Sequence, residues 1–417
     1  MENEAGAGNP AGDLAWNGAS ANPENQVSDG SQERDDSIKK IKCRGCGATE
    51  VVFNPDRGVF VCDFCRTETA PETATVGKIT GDIQEIKEKE GFTISPGLDD
   101  AAPREVECLS FHCPSCKATL TVGNETDVGG LKCHWCRHQI AIADKVTGGI
   151  RPDGVIPFVL TKEQAAAEVT KYLKRRRLFS CREFVQTFKP EMIKPVFLPY
   201  ILTRVRSECA IGGDAAIRIR SYTVGSKNSK KKYYDYDLYR FWRRFKISTN
   251  NLLIEAHSSY YVPPGVCPSI GTKNIINSIQ PFNTEAIVDY TPKFLNGDFR
   301  AEFRDLNLDE TMRSTIESRI KDIMVHNTLP SLAQYSHGYD IQFVSAQKEA
   351  GKYSSILAPA WLYSYRDQNG EISYICVNAQ TGKCAASIPL NKVRLWVGTL
   401  IMQALAILGF VLLFFIL

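Results

Sequence analysis

Eight cysteines in four CxxC pairs set the tightest limit on what this chain can fold into. Cys43-Arg-Gly-Cys46 is followed after fifteen residues by Cys62-Asp-Phe-Cys65. Cys113-Pro-Ser-Cys116 is followed after sixteen by Cys133-His-Trp-Cys136. Two residues between ligands let one tight turn aim both sulfurs at a single ion, and two such turns close a tetrahedral four-cysteine site. The runs between the pairs are strand-like: Glu50–Phe53 with Val59–Val61, and Ala118–Val122 with Leu131. The spacing therefore predicts two zinc ribbons, each with a small hairpin and one structural Zn2+. Four thiolates leave no position for water, so the expected role of each ion is structural and not Lewis-acidic. A unit this small buries little apolar surface, and the metal supplies most of its folding free energy. Gly47 suits the tight backbone after the first knuckle. His112, His134 and His138 lie beside complete ligand sets and read as surface histidines. The other six cysteines, at 108, 181, 209, 267, 376 and 384, have no ligand spacing and read as buried thiols.

Both ends of the chain contrast with these ribbons. Residues 1–38 carry eight acids against Arg34 alone, a balance of −7, and almost no large apolar side chains. Such a segment cannot offset its ordering entropy and is expected to be a disordered acidic tail. It lacks the basic start and apolar run of an ordinary signal peptide. Leu395–Leu417 has no charge, with Thr399 and Gln403 its only polar interruptions. As a helix it is long enough to span a hydrocarbon core of roughly 30 Å. Lys392 and Arg394 precede it, which favours a body on the cytoplasmic side. The expectation is a tail-anchored, single-pass protein of the cell membrane.

Residues 69–106 are rich in Pro, Thr, Gly and charge and read as a flexible linker with one short helix near Ile83–Lys89. Beyond the second ribbon, Gly154–Leu160 reads as a strand and Thr161–Gln164 as a capping box opening a helix to about Arg177. A second amphipathic helix is expected over Leu308–Val325, with Leu308, Met312, Ile316, Ile320, Ile323 and Met324 on one face. Asn369-Gly370 joins Ala360–Arg366 to Ile372–Val377 as a hairpin, and Gln380–Lys383 turns into a further strand. At an offset of 160 residues, Val196–Arg206 (VFLPYILTRVR) is echoed by Ile356–Arg366 (ILAPAWLYSYR), with Pro199/Pro359, Leu202/Leu362 and Arg206/Arg366 in common. A duplicated helix plus antiparallel-sheet unit explains the echo.

Ile217–Lys246 holds ten bases against Asp235 and Asp237, with eight interleaved aromatics. A solvated strand–turn–strand with basic tips is the first reading. Contact with anionic lipid comes second and nucleic acid third. Lys171–Arg177 reads as a solvated helix end. No Walker A, GxGxxG, HExxH or GxSxG motif occurs, and no acid–base constellation stands out.

Five phrases in order carry a resemblance. They are the CxxC…CxxC of Cys113–Cys136, GVIPFVLTKEQA at Gly154–Ala165, VFLPYIL at Val196–Leu202, APAWLY at Ala358–Tyr363 and NAQTGK at Asn378–Lys383. Over roughly residues 108–390 the chain resembles the bacterial transcription-factor-IIB-type zinc-ribbon-containing membrane proteins. These are often labelled replication-restart-helicase-like because of the ribbon. The resemblance implies zinc and membrane association and no particular reaction; the extra ribbon at Cys43–Cys65 and the terminal anchor depart from it.

The expected architecture is α+β. An acidic tail (1–38), ribbon 1 (39–68), a linker (69–106) and ribbon 2 (107–146) precede an α+β domain (147–392) and a transmembrane anchor (395–417). The expected function is a non-catalytic protein-interaction or scaffold module. The alternatives are a membrane-tethered nucleic-acid binder and an enzyme with an unrecognised site.

Overall fold

The computed structural model describes residues 43–46, 48, 51–54, 59–70, 91–100, 107–178, 180–225, 231–263, 273–335, 338–367 and 370–416. The acidic tail, Gly47, the helix expected near 83–89, Cys267 and Asn369 lie outside them.

The first four-cysteine unit is a three-stranded antiparallel sheet of β1 (Val51–Asn54), β2 (Val59–Cys62) and β3 (Glu68–Thr69). All other strands join one mixed sheet of twelve. Its members begin with β4 (Gly91–Ile94), which lies inside the expected linker and pairs parallel to a strand far along the chain. Part of that linker is therefore built into the fold. In the second four-cysteine unit, β5 (Cys108–His112) pairs with β6 (Thr119–Gly123) and with β7 (Lys145–Val146). The hairpin partner of β6 is thus the run before the first knuckle, not Leu131; only a lone bridge, Lys132 with Gln139, forms on that side.

Of the strand expected at Gly154–Leu160, only β8 (Gly154–Val155) forms. Pro157 has no N–H to donate, which stops the ladder there. Helix α1 (Lys162–Arg176) opens on the expected capping box: Thr161 Oγ1 accepts from Gln164 N–H and Gln164 Oε1 from Thr161 N–H. The short α2 (Arg182–Thr187) leads into the longest elements, β9 (Lys194–Val224) and β10 (Lys231–Glu255). The short β11 (Val288–Asp289) and β12 (Arg300–Ala301) precede α3 (Glu310–Leu332), capped by Asp309. This helix runs past the expected Val325 because its apolar stripe continues through Thr328 and Leu332, both buried. Pro330 sits in the last turn, where it has no N–H to give the carbonyl of His326. Finally β13 (Gly338–Arg366), β14 (Ile372–Asn378) and β15 (Cys384–Ala386) form a meander, followed by α4 (Lys392–Ile416). The pairing of Ala360–Arg366 with Ile372–Asn378 is the hairpin read from the sequence.

Both faces of the β9–β13 pair are covered. Val196, Leu198, Tyr200, Leu202, Ile356, Ala358 and Ala360 point one way, into a core shared with the second four-cysteine unit. The alternate residues point the other way. Phe197, Leu357 and Trp361 meet α1, while Ile201, Val205 and Tyr353 meet α3. Period-two alternation with apolar residues on both faces explains the near-continuous apolar run of VFLPYIL.

The two echoed segments face one another. Leu198 pairs with Ala358, Pro199 with Leu357, and Phe197 with Pro359. Each proline carbonyl accepts a hydrogen bond from the residue just past the returning strand: Ala256 N–H to Pro199 O and Ala379 N–H to Pro359 O, both 3.1 Å. Each segment also takes a short parallel strand, β12 on β9 and β8 on β13.

Beyond the core, β10, β9 and β13 extend as a three-stranded arm. At about 3.3 Å per residue, the thirty-one residues of β9 span roughly 100 Å of extended chain. At its middle, Trp242 and Phe343 stack across Gly212 with ring centroids 5.1 Å apart. A Cβ on Gly212 would meet the indole at 2.6 Å, so the rings can close over that strand only at glycine. The outer end, Ile217–Val224 with Lys231–Asp237, has only two strands and is mostly exposed.

Candidate metal centres

The fold brings all eight predicted ligands together as two sets, Cys43, Cys46, Cys62, Cys65 and Cys113, Cys116, Cys133, Cys136, with the sulfurs of each set within 4.8 Å of one another. Cys43 and Cys65 Sγ are 3.4 Å apart, and Cys46 and Cys62 3.6 Å. The second set repeats this, at 3.4 Å for Cys113–Cys136 and 3.6 Å for Cys116–Cys133. A tetrahedral ion with metal–sulfur bonds of about 2.3 Å needs sulfurs about 3.8 Å apart, close to what is found. These are not disulfide distances, which are about 2.05 Å. Each set can hold one metal ion.

Local backbone explains why CxxC suffices. The first cysteine N–H of a knuckle reaches the carbonyl five residues on: Cys43 to Ala48, Cys62 to Thr67, Cys113 to Ala118, Cys133 to His138. The residue after the second cysteine takes a left-handed conformation, Arg66 at φ 59°, Lys117 at 62° and Arg137 at 60°. Its N–H then returns to the carbonyl of the first cysteine. Left-handed backbone is strained for these side chains by about 1 kcal/mol, so the knuckle closes against a cost that ligation would offset.

Crowding four thiols splits their acidities. In the second set the hydrogen bond from Cys133 holds Cys136 down to about 4 and Cys116 down to about 7, while burial pushes Cys113 up to about 11. In the first, the Thr67 hydroxyl, 3.0 Å from Cys65, holds that thiol down to about 6. Cys46 is pushed up to about 12, the pull of the Ala48 N–H being outweighed by the thiols of Cys65 and Cys62. An ion bound by all four sulfurs must displace the remaining protons, so affinity falls with pH.

The two units differ in how they meet the body. In the second knuckle, Cys133-His134-Trp135-Cys136, both middle residues are buried, Trp135 completely. Trp135 Nε1–H donates to Glu302 Oε1 at 2.6 Å, and His134 Nε2 lies 3.2 Å from the same oxygen. His134 is therefore not the surface residue that its place beside a full ligand set suggests; His112 and His138 are exposed. Burial lowers the His134 pKa against the pull of Glu302, which leaves a neutral ring able to donate. For Glu302, burial acts to raise the pKa, but His257, His134 and Lys273 together hold it down to about 2. An ionised carboxylate with two donors is the consistent picture. The corresponding knuckle of the first unit, Cys62-Asp63-Phe64-Cys65, touches the body through Lys293 Nζ–Asp63 Oδ2 at 2.8 Å. Phe60 on β2 packs edge-on against Phe294. Phe64 is left 69% exposed.

Among the other cysteines, 108, 209 and 376 are buried, whereas 181 and 384 are only half-buried. The basic segment is partly neutralised by acids the linear reading did not count. Arg240 pairs with Asp214, Arg244 with Glu208 and Lys246 with Glu349, in addition to Arg220 with Asp235. At the other end, α4 contains one stretch, Lys392–Phe410, long and apolar enough to cross a membrane, with none of it buried in the fold.

No family model matches the chain, and no solved structure matches it. Among curated proteins the chain is similar to the uncharacterized protein YdjG of Bacillus subtilis (strain 168). The two are 22% identical over 259 residues, 61% of this chain and 69% of YdjG. That similarity brings no activity or partner with it.

Proposed function

We propose that this chain is a membrane-anchored, zinc-binding scaffold whose first ribbon docks a protein partner. The contrast between two equivalent knuckles supports this most strongly. Trp135 and His134 plug the second knuckle into the chain's own body, whereas Phe64, at the same place in the first, stands in solvent. A large apolar side chain on a rigid metal-closed turn is the kind of anchor that fills a pocket on a partner. Zinc is the ion that suits four thiolates with tetrahedral spacing. The closed ligand sets favour a structural ion and a non-catalytic role. Lys392 and Arg394 at the start of α4 favour a single-pass anchor with the body on the cytoplasmic face. Membership of the transcription-factor-IIB-type zinc-ribbon membrane proteins is part of this reading, as is a duplicated helix plus antiparallel-sheet unit. The facing of the two echoed segments about Leu198 and Ala358 supports the duplication.

Affinity capture of the full chain from detergent-solubilised membranes tests it. The wild type should retain a protein that the Phe64→Asp variant loses, with two zinc ions kept in both. Capture unchanged by the variant would end the ribbon-docking reading.

A second reading has its own support. Tyr222 and Tyr233 are exposed at the outer end of the arm with Arg220 and Lys232, and Trp242 is exposed nearer its middle, a mixture suited to anionic lipid headgroups. Nucleic acid is less favoured there because α4, as an anchor, would keep the arm close to headgroups.

A further inference from the structure

Between the second metal unit and the sheet lies a cavity of about 280 Å³. Its wall includes Lys132, His134, Arg137, Lys194, Arg300 and Ser364. These residues come from four places in the chain: the second ribbon, the start of β9, β12 and the far part of β13. Two of the cations are not surface ornaments. Arg300 is 8% exposed, and among the described residues its hydrogen bonding is limited to the Lys132 carbonyl. Arg137 is half-buried, gives its Nε–H to Ser364 Oγ at 3.1 Å, and lies over the Tyr363 ring at 5.2 Å. Each guanidinium therefore has donors to spare on the cavity side of the fold. His134 has one ring nitrogen at Glu302, while Nδ1 is buried without a hydrogen-bond partner. Lys132 has no acidic partner among the described residues. Lys194 pairs with Asp298 at 3.0 Å, among the described residues the one carboxylate in an ion pair with these four cations.

A partly buried cavity walled by four cations, with one carboxylate paired to them among the described residues, is short of negative charge, and buried charge is normally compensated. We propose that this cavity binds a phosphate-class oxyanion, either a soluble phosphomonoester or the headgroup of a phospholipid. Guanidinium forks match the edges of a tetrahedral oxyanion, and two of them with two ammonium groups can serve its oxygens from several sides. Cys133 also borders the cavity, so the competing explanation is that the cations merely offset the tetrathiolate. The site differs from the proposed docking knuckle at Phe64 and from the basic arm.

The test uses the full chain in detergent with both metal sites loaded. Inorganic phosphate and glycerol 3-phosphate are titrated against matched ionic strength of chloride, followed by thermal shift. In parallel, vesicles of phosphatidic acid in phosphatidylcholine are compared with phosphatidylcholine alone, using the chain and a second chain ending at Asn391. The expected result is a stabilisation by phosphate or by phosphatidic acid that chloride does not give. It should weaken at least tenfold in affinity in an Arg137→Gln/Lys194→Gln double variant that keeps two metal ions and the wild-type circular dichroism. Binding in the soluble arm names a phosphomonoester, and binding only to phosphatidic acid names a headgroup. No specific effect in either arm would overturn the proposal. So would a double variant that binds phosphate normally, or one that loses metal while the wild type ignores phosphate.

Discussion

At Glu302 a carboxylate with no exposed surface takes the N–H of Trp135 and faces His134, two residues of one knuckle. Replacing it with leucine would fill the space but orphan both donors, at roughly 1–3 kcal/mol each. Glu302→Leu should therefore lower stability by about 2–4 kcal/mol and speed metal loss from the second set alone. Glu302→Gln keeps an acceptor and should cost less than half as much. Urea unfolding, with metal release followed by a chromophoric chelator, reads both effects. A leucine variant as stable as wild type, releasing metal at the wild-type rate, would mean that the knuckle is held by packing of Trp135 against Tyr374 and Tyr260 instead.

Among the elements, the two four-cysteine units share ligand spacing but not surroundings, and that difference should appear on acidification. Cys113 and Cys46 both lie above the ordinary thiol range, at about 11 and about 12. Metal must displace their protons, so lowering the pH favours release from both sets. Cys46 and Cys65 are exposed, while Cys113, Cys133 and Cys136 are buried under the sheet. The first unit should therefore release its ion at a higher pH than the second. Chelator absorbance in a stepwise titration from pH 7 to 4 should show two events, with the earlier removed by Cys46→Ala. A single event, or one in which the second set empties first, would contradict this order. The ligands were legible because chelation by a two-residue knuckle depends only on local spacing. The docking was not, because the burial of His134 and Trp135 is decided by Glu302, which lies far away in sequence. The caps at Thr161 and the helix that follows could be read for the same local reason. The partner of β6 could not, since Leu131 and Cys108–His112 offer similar apolar character and only tertiary packing chooses between them. The arm was legible only in part: its bases read as a solvated strand–turn–strand, and β9 and β10 do pair there, but Asp214, Glu208 and Glu349 reach those bases only through strand pairing.

For the whole molecule, the question is whether α4 or the arm would hold it to a membrane. Twenty-five helical residues in α4 rise about 37 Å, against a hydrocarbon core of roughly 30 Å. Its described apolar side chains, from Val393 through Phe410, find no cover in the fold. The exposed aromatics of the arm offer a different attachment, one that depends on charge and so weakens in salt. The two make opposite forecasts for a chain ending at Asn391. If α4 is the anchor, that chain should leave the membrane fraction at every ionic strength and keep both metal ions, while the full chain withstands salt and alkaline carbonate washes. If the arm holds it, the shortened chain should stay on anionic membranes at low salt and leave as salt rises. Removal of Tyr222, Tyr233 and Trp242 should then release it where loss of α4 did not. Fractionation of cells carrying each version decides between them, and retention of the shortened chain at high salt would defeat both. Because α4 follows directly from the meander that closes the sheet, an anchored α4 would also keep the second metal unit and its cavity attached to the membrane through one packed body.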